Sequence, residues 1–165
     1  MPLQHQLDLV KRALAVYAGD HVLERVLSLG DAALELGGEV RFATVAFVDV
    51  TKLMPAAERF DWPIVTDAIR QYVSIVAKAT ADAGGRLDAP IGDAAICYWV
   101  GDGHADSACD CALSITTALA ASTAIPKVIP KIGIHSGRVL IGNAGCRQRM
   151  RFTVTGSAVN TASGI

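Results

Sequence analysis

The clearest pattern in the chain is an apolar run, Glu39–Asp49 (EVRFATVAFVD), that is rich in β-branched and aromatic residues and ends on a carboxylate. Val45, Phe47 and Val48 favour burial, and the run shows no helical stripe. It predicts a central strand with Asp49 at its exit.

Three other segments have apolar residues at the three- and four-residue spacing of an amphipathic helix. Their apolar positions are Leu3, Leu7, Val10, Leu14 and Tyr17; Val65, Ile69, Tyr72, Val76 and Ala79; and Ala108, Ala112, Ile115 and Leu119. Pro63 and Gly84-Gly85 mark the ends of the second helix, and Asp102 or His104 opens the third. The first helix fits two roles: docking on its own domain or a dimer mate, or ending a signalling stalk.

Shorter segments complete the order of elements. The predicted strands are Arg86–Ala89 and Ala94–Val100 around a turn at Ile91-Gly92-Asp93, then Lys131–His135 and Arg138–Asn143 around a turn at Ser136-Gly137, then Phe152–Thr155. Short helices are predicted at His21–Leu29, capped by Asp20, and from Ser157 onward. The core order βαββαβ predicts an α+β, ferredoxin-like domain, an antiparallel sheet with helices on one face.

This pattern divides the chain into an N-terminal helical segment, residues 1–38, and one domain, residues 39–165. A length of 165 residues suits one such domain, and 52% hydrophobic residues are enough for a core. Fold alone does not indicate function, because many unrelated activities use this arrangement.

Composition excludes several functional classes. The net charge is −1 without a basic stripe, so nucleic acid is not an expected partner. No apolar stretch is long enough to span a bilayer, and the N-terminus lacks a signal-peptide core, so a cytoplasmic location is expected. The four cysteines lack metal-type spacing and are expected to be ordinary thiols.

Two carboxylates are the candidate chemical groups. If the strand that ends at Asp49 neighbours the strand that begins after Asp93, both side chains meet at one end of the sheet. Converging carboxylates repel and need a cation or a proton between them. We interpret them as a site for a pair of divalent metals. Separately, Asp49 also fits a cap and Asp93 a β-turn.

The residues that follow Asp49 suggest a phosphate site. Val50, Thr51, Lys52 and Leu53 form a predicted turn from strand to helix. Backbone amides at such a turn are free to bind phosphate oxygens.

Taken together, four segments resemble the class III adenylate/guanylate cyclase catalytic domain. They are RFATVAFVDV, GGRLDAPIGDAAICYW, PKIGIHSGRVLIGNAG and RMRFTVTGSAVNTAS, in the family's order and spacing, from about residue 39 to the C-terminus. The family's C-terminal strands, with a further phosphate-binding lysine, have no counterpart in this chain.

The resemblance implies a function and a set of site residues. ATP or GTP would be converted to a 3′,5′-cyclic nucleotide and pyrophosphate with two divalent cations, Mg²⁺ or Mn²⁺. The implied metal-binding residues are Asp49, Val50 and Asp93; the implied substrate-binding residues are Val50, Thr51, Lys52, Leu53, Ala89 and Thr153; the implied catalytic residue is Asn160, which orients the ribose. The family's sites lie across a head-to-tail dimer, so a second identical or related chain is expected, contacted by an arm at Gly145–Arg151.

Departures from the family pattern put activity in doubt. Ala89 stands where adenylate cyclases have lysine and guanylate cyclases glutamate, and its partner position is Thr153. Gly164 replaces an arginine that stabilises transition-state charge, a loss that typically costs about a hundredfold in rate. Lys52 replaces the glycine of the phosphate loop. ATP and GTP stay undistinguished.

Three functional hypotheses follow from these residues. The first is a cyclase that is weak or depends on a partner chain. The second is a catalytically inactive pseudo-cyclase that binds nucleotide or dimerises as a regulatory module. The third is an unrelated ferredoxin-like domain that binds a metabolite, which the GIHSG and GSAVNTAS segments make the weakest of the three.

Overall fold

The computed structural model describes residues 2–51, 58–88, 90, 93–123, 127 and 129–165. The helices of this part are α1 (Leu3–Ala18), α2 (Asp20–Leu29), α3 (Trp62–Asp82), α4 (His104–Ala121) and α5 (Ser157–Gly164), with a 3₁₀ helix at Gly30–Leu34. Its strands are β1 (Gly37–Thr51), β2 (Arg86–Leu87), β3 (Ala94–Val100), β4 (Ile129–Cys146) and β5 (Arg149–Thr155).

The described strands form one sheet in the order β2-β3-β1-β4-β5. From β1 to β4 the chain runs β1, α3, β2, β3, α4, β4, which confirms the predicted ferredoxin-like core. Strands β1 and β3 are antiparallel: Ala43 pairs with Val100 at one end, and Asp49 pairs with Ala94 at the other. The Glu39–Asp49 run is therefore a central strand, as predicted.

The main core lies between one face of the β1–β3 pair and the helices α3 and α4, which confirms the prediction of helices on one face. Strand residues alternate in direction, so every second residue of each strand points into this core. Its buried members are Ala46, Val48, Val50, Ala95, Cys97 and Trp99 from the strands, and Ala68, Tyr72, Val76, Ala108, Cys111, Ile115 and Leu119 from the helices. Cys111 of α4 is buried, whereas the predicted Ala112 is only half-buried.

The cysteines are free thiols, as their spacing predicts. Cys97 and Cys111 are buried, and Cys109 and Cys146 are exposed. Burial raises the pKa of the Cys97 thiol to about 12, so this group stays protonated at neutral pH. The Thr80 hydroxyl donates a hydrogen bond to Cys97 Sγ at 3.2 Å, so this buried polar side chain has a partner.

Strand β4 is continuous where the sequence predicted a hairpin. Lys131–His135 and Arg138–Asn143 belong to the same strand, so the predicted turn at Ser136-Gly137 is wrong. The φ of Gly137 lies outside the left-handed region that a tight turn would use. The observed turn lies at residues 147–148, between β4 and β5.

A buried hydrogen-bonded network explains why Ser136 stays in an extended strand. The Thr44 hydroxyl on β1, which is fully buried, lies 2.7 Å from Ser136 Oγ on β4 and 2.5 Å from His104 Nδ1. Phe42 packs edge-on against the His104 ring, with centroids 5.7 Å apart. The Thr44 hydroxyl is therefore within hydrogen-bond distance of Ser136 on β4 and His104 on α4, and it links both elements to β1.

Contacts divide the chain into two compact units. One unit comprises Met1–Val40 and Leu140–Val154, and the other comprises Arg41–Val139 and Thr155–Ile165. The core described above belongs to the second unit. The division into residues 1–38 and 39–165 stays a prediction.

The first two helices differ from the core helices because neither has a buried residue. Leu3 and Tyr17, at the two ends of the predicted seam of α1, are 80% and 89% exposed. Helix α2 begins at Asp20, with Gly19 as the N-cap residue, so Asp20 lies in the first turn and does not cap the helix as predicted. An acidic side chain there still interacts favourably with the helix dipole.

Within the described part of the chain, no helix combines the length and apolarity that crossing a membrane requires.

Replacing Thr44 with valine tests the buried network. Thr44→Val keeps the shape of the side chain but leaves His104 Nδ1 and Ser136 Oγ without this partner. We expect the free energy of unfolding in urea to fall by about 1–3 kcal/mol. Thr116→Val is the matched control, because the exposed Thr116 hydroxyl bonds to the carbonyl of Ala112 in its own helix; its effect should stay within about 0.5 kcal/mol. Equal losses in both variants would contradict this role for Thr44.

Candidate active site

Asp49 lies at the end of the β1–β3 ladder and is half-buried. Its neighbours Val48 and Val50 are buried in the core under α3 and α4. Because side chains alternate along a strand, this anchoring directs Asp49 to the opposite face of the sheet. The strand thus fixes the carboxylate through its two apolar neighbours.

Asp93 lies in the turn that leads directly into β3 and is also half-buried. It precedes Ala94, the residue that pairs with Asp49. Paired residues of an antiparallel ladder lie about 5 Å apart at Cα and consecutive residues about 3.8 Å, so the Cα atoms of the two aspartates are at most about 9 Å apart. The structure therefore brings the two predicted carboxylates to one end of one strand pair.

Tyr72 of α3 is bonded to the strand that carries Asp49. Its hydroxyl donates a hydrogen bond to the carbonyl oxygen of Val48 at 3.0 Å, one residue before Asp49. Burial raises the pKa of the Tyr72 hydroxyl, and the Cys97 thiol, Asp49 and Asp93 raise it further. Both carboxylates therefore act on the same group, and the phenol remains a neutral donor.

Sequence reasoning assigned Tyr72 to the core and missed this second role. The signal was available, because a buried tyrosine within an apolar stripe needs a partner for its hydroxyl. That partner turns out to be the backbone of the strand that positions Asp49.

The donor set at this end of the sheet fits a hard divalent cation. Within the described residues, no group of three or more His, Cys, Asp or Glu side chains could hold a metal ion. Mg²⁺ commonly binds through one or two carboxylates and completes its shell with water and substrate phosphates. The pair Asp49 and Asp93 meets that requirement.

The predicted phosphate loop is described only at its start. Val50 is buried, and Thr51 is the last residue of β1. Lys52, Leu53 and Ala89 lie outside the described residues, so their predicted roles stay predictions.

Asn160 lies on the exposed side of α5. The opposite side of that helix is fixed by Ala158 and Ala162, which are both 2% exposed. The helix packs against β4 at two glycines: a Cβ at Gly133 would overlap the carbonyl oxygen of Ala162, and a Cβ at Gly137 would meet Ala158 Cβ at 3.1 Å. These glycines of the GIHSG segment therefore allow α5, and Asn160 with it, to approach the sheet.

Gly164 ends α5 at the position where the resemblance leads us to expect arginine. A Cβ built there meets no other atom within 4 Å, and the φ of this residue is outside the left-handed region. The backbone would thus accept a side chain without strain. The glycine at this position is therefore not required by the backbone or by packing around the Cβ.

Thr153 lies on β5 and is half-buried. Its hydroxyl lies 3.5 Å from the carbonyl oxygen of Val154, the limit for a hydrogen bond. A threonine hydroxyl both donates and accepts, so it does not by itself distinguish adenine from guanine. The proposed role of Thr153 in recognising the base rests on the resemblance alone.

Comparison with known proteins adds independent evidence. The chain is 32% identical over 143 residues to an adenylate cyclase of Anabaena cylindrica, which covers 80% of this chain and 28% of that protein. Its fold is similar to that of a bacterial light-regulated adenylyl cyclase, with a TM-score of 0.86 at 23% identity, over 98% of this chain and 49% of that one. It is also similar to the guanylate cyclase domain of RhGC from Catenaria anguillulae in complex with GTP, with a TM-score of 0.70 at 24% identity, over 76% of this chain and 72% of that one.

The curated relatives are longer proteins, and the chain spans about a quarter of their length. The family model of the adenylate and guanylate cyclase catalytic domain matches residues 41–165, which include both aspartates and Asn160. The chain therefore belongs to the adenylate and guanylate cyclase catalytic domain family.

Proposed function

We propose that this domain is a nucleotidyl cyclase that forms 3′,5′-cyclic AMP or cyclic GMP and pyrophosphate from the nucleoside triphosphate. The observation that supports this most is the position of Asp49 and Asp93 at one end of the β1–β3 pair. Family membership and the adenylate cyclase among its relatives support the same reaction. The structural relative that contains GTP supports a nucleoside triphosphate as the substrate.

In the proposed reaction the ribose 3′-hydroxyl loses its proton to water, its oxygen forms a bond to the α-phosphorus, and the bond from that phosphorus to the pyrophosphate oxygen breaks. Two divalent cations, Mg²⁺ or Mn²⁺, would neutralise the triphosphate and acidify the 3′-hydroxyl. Asp49, Asp93 and the carbonyl of Val50 would hold these cations. Asn160 would orient the ribose from α5.

Backbone amides between Val50 and Leu53 would bind phosphate oxygens, following the predicted turn from strand to helix. We place Ala89 and Thr153 at the base, as the resemblance implies. The site would form between two chains arranged head to tail, either identical or closely related. The cytoplasmic location stays a prediction.

A second function, that of a pseudo-cyclase which binds nucleotide without turning it over, is favoured by Gly164 and Ala89. Both positions lack a side chain that would act on the nucleotide, whereas both aspartates that would bind metal are retained. Retained carboxylates favour continued binding of metal and phosphate, so nucleotide binding is common to both functions. Formation of cyclic nucleotide distinguishes the cyclase from the pseudo-cyclase.

Chromatography for cyclic product tests the proposal directly. Purified protein is incubated with ATP or GTP and Mn²⁺, and we expect cyclic nucleotide. Asp49→Ala should reduce its formation by about a hundredfold or more, because the cations lose a ligand where charge develops. Asp110→Ala is the matched control, since Asp110 is exposed on α4. Product that persists in Asp49→Ala would contradict the metal site.

Gly164→Arg tests whether the open position at the end of α5 limits turnover. The backbone at this position accepts a Cβ without a clash, so the substitution begins from an unstrained backbone. We expect the rate of cyclic product formation to rise by about tenfold to a hundredfold. Gly164→Gln, which adds length without charge, should leave the rate unchanged. If both variants match the wild type, Gly164 does not limit the reaction.

A further inference from the structure

The N-terminal helices and the β4–β5 hairpin form one compact unit, which comprises Met1–Val40 and Leu140–Val154. The side-chain amide of Asn143 on β4 donates hydrogen bonds to the carbonyl oxygens of Ala33 at 2.8 Å and Glu35 at 2.7 Å. Asn143 is 9% exposed, so these bonds are shielded from water. The segment after α2 is thereby tied to the strand that leads into the hairpin.

A second contact joins α2 to β5 at a single aromatic ring, that of Phe152. The His21 ring meets it edge-on, with centroids 5.5 Å apart and planes at 62°. The guanidinium carbon of Arg25 lies 5.5 Å from the centre of the same ring, the geometry of a cation–π contact. His21 and Arg25 are four residues apart, so both project from one face of α2.

Arg25 is half-buried, and one nitrogen of its guanidinium group is shielded from water. Its Nε is buried and has no hydrogen-bond partner among the described residues, whereas a surface arginine would have water there. A desolvated cation over an aromatic face is held more strongly than an exposed one. The position of Phe152 therefore depends on α2, and the position of Arg25 depends on Phe152.

Thr153 is the residue that follows Phe152 in β5. Adjacent strand residues point to opposite faces, so α2 packs on one face of β5 while Thr153 occupies the other. Any displacement of Phe152 along or across the strand moves the backbone of Thr153 with it.

We infer that Phe152 and Arg25 are positioning residues that set the place of Thr153, and with it the choice between adenine and guanine nucleotides. This inference rests on the proposed function, in which Thr153 adjoins the base. It assigns to α2 a role in nucleotide preference, although α2 has no proposed contact with substrate. The sequence pattern does not indicate that Phe152 positions Thr153, because Phe152 has the pattern of an ordinary strand residue.

Calorimetry with three probes tests the inference: ATP, GTP and inorganic pyrophosphate, each with Mn²⁺. Pyrophosphate has no base, so its affinity reports the metal and phosphate groups alone. Phe152→Leu and Arg25→Gln should change the ratio of ATP to GTP affinity by about fivefold or more while pyrophosphate affinity stays within about twofold. Phe152→Tyr and Arg25→Lys keep the ring and the cation and should retain the wild-type ratio.

Leu27→Ala is the control on the same helix, because Leu27 is exposed on α2; it should leave all three affinities unchanged. An unchanged ratio in both Phe152→Leu and Arg25→Gln would overturn the inference. Equal losses for all three probes would also overturn it, because they would show a general structural role. Failure of the wild type to bind either nucleotide would instead overturn the proposed function, and that result is visible without any variant.

Discussion

The pairing of Asp49 with Ala94 is the constraint on which the candidate site depends. Because β1 and β3 are antiparallel in this register, the end of one strand meets the start of the other. A shift of one residue would move Val48 and Val50 out of the core and turn Asp49 to the helix-covered face. Burial of those two valines therefore fixes the end of the strand pair at which the two aspartates lie. The hydrogen bond from the Tyr72 hydroxyl to the carbonyl oxygen of Val48 holds the same stretch of β1 to α3.

Much of the fold could be predicted from the sequence because its signals are local. The apolar run of β1, the seams of α3 and α4 and the order βαββαβ all follow from periodicity and from Pro63 and the Gly84-Gly85 pair. The convergence of Asp49 and Asp93 could also be predicted, since it needs only that the two strands be neighbours.

The errors have two physical causes: a glycine can serve more than one structural purpose, and contacts between distant residues leave no local pattern. Gly137 was interpreted as a turn residue, but it is needed so that α5 can approach β4. Ser136 was placed in the same turn, but its hydroxyl belongs to a network with Thr44, which lies 92 positions away in the chain. Contacts at such separation leave no local pattern, and the packing of His21 and Arg25 on Phe152 was missed for the same reason.

The central claim is that Asp49 and Asp93 act as one site, and a double-mutant cycle tests it most directly. Mn²⁺ affinity in the presence of pyrophosphate would be measured for the wild type, Asp49→Asn, Asp93→Asn and the double variant. Two ligands of a shared site predict strongly non-additive losses, with a coupling free energy of about 1–3 kcal/mol. Losses that add to within about 0.5 kcal/mol would show that the two carboxylates act independently and would contradict the claim.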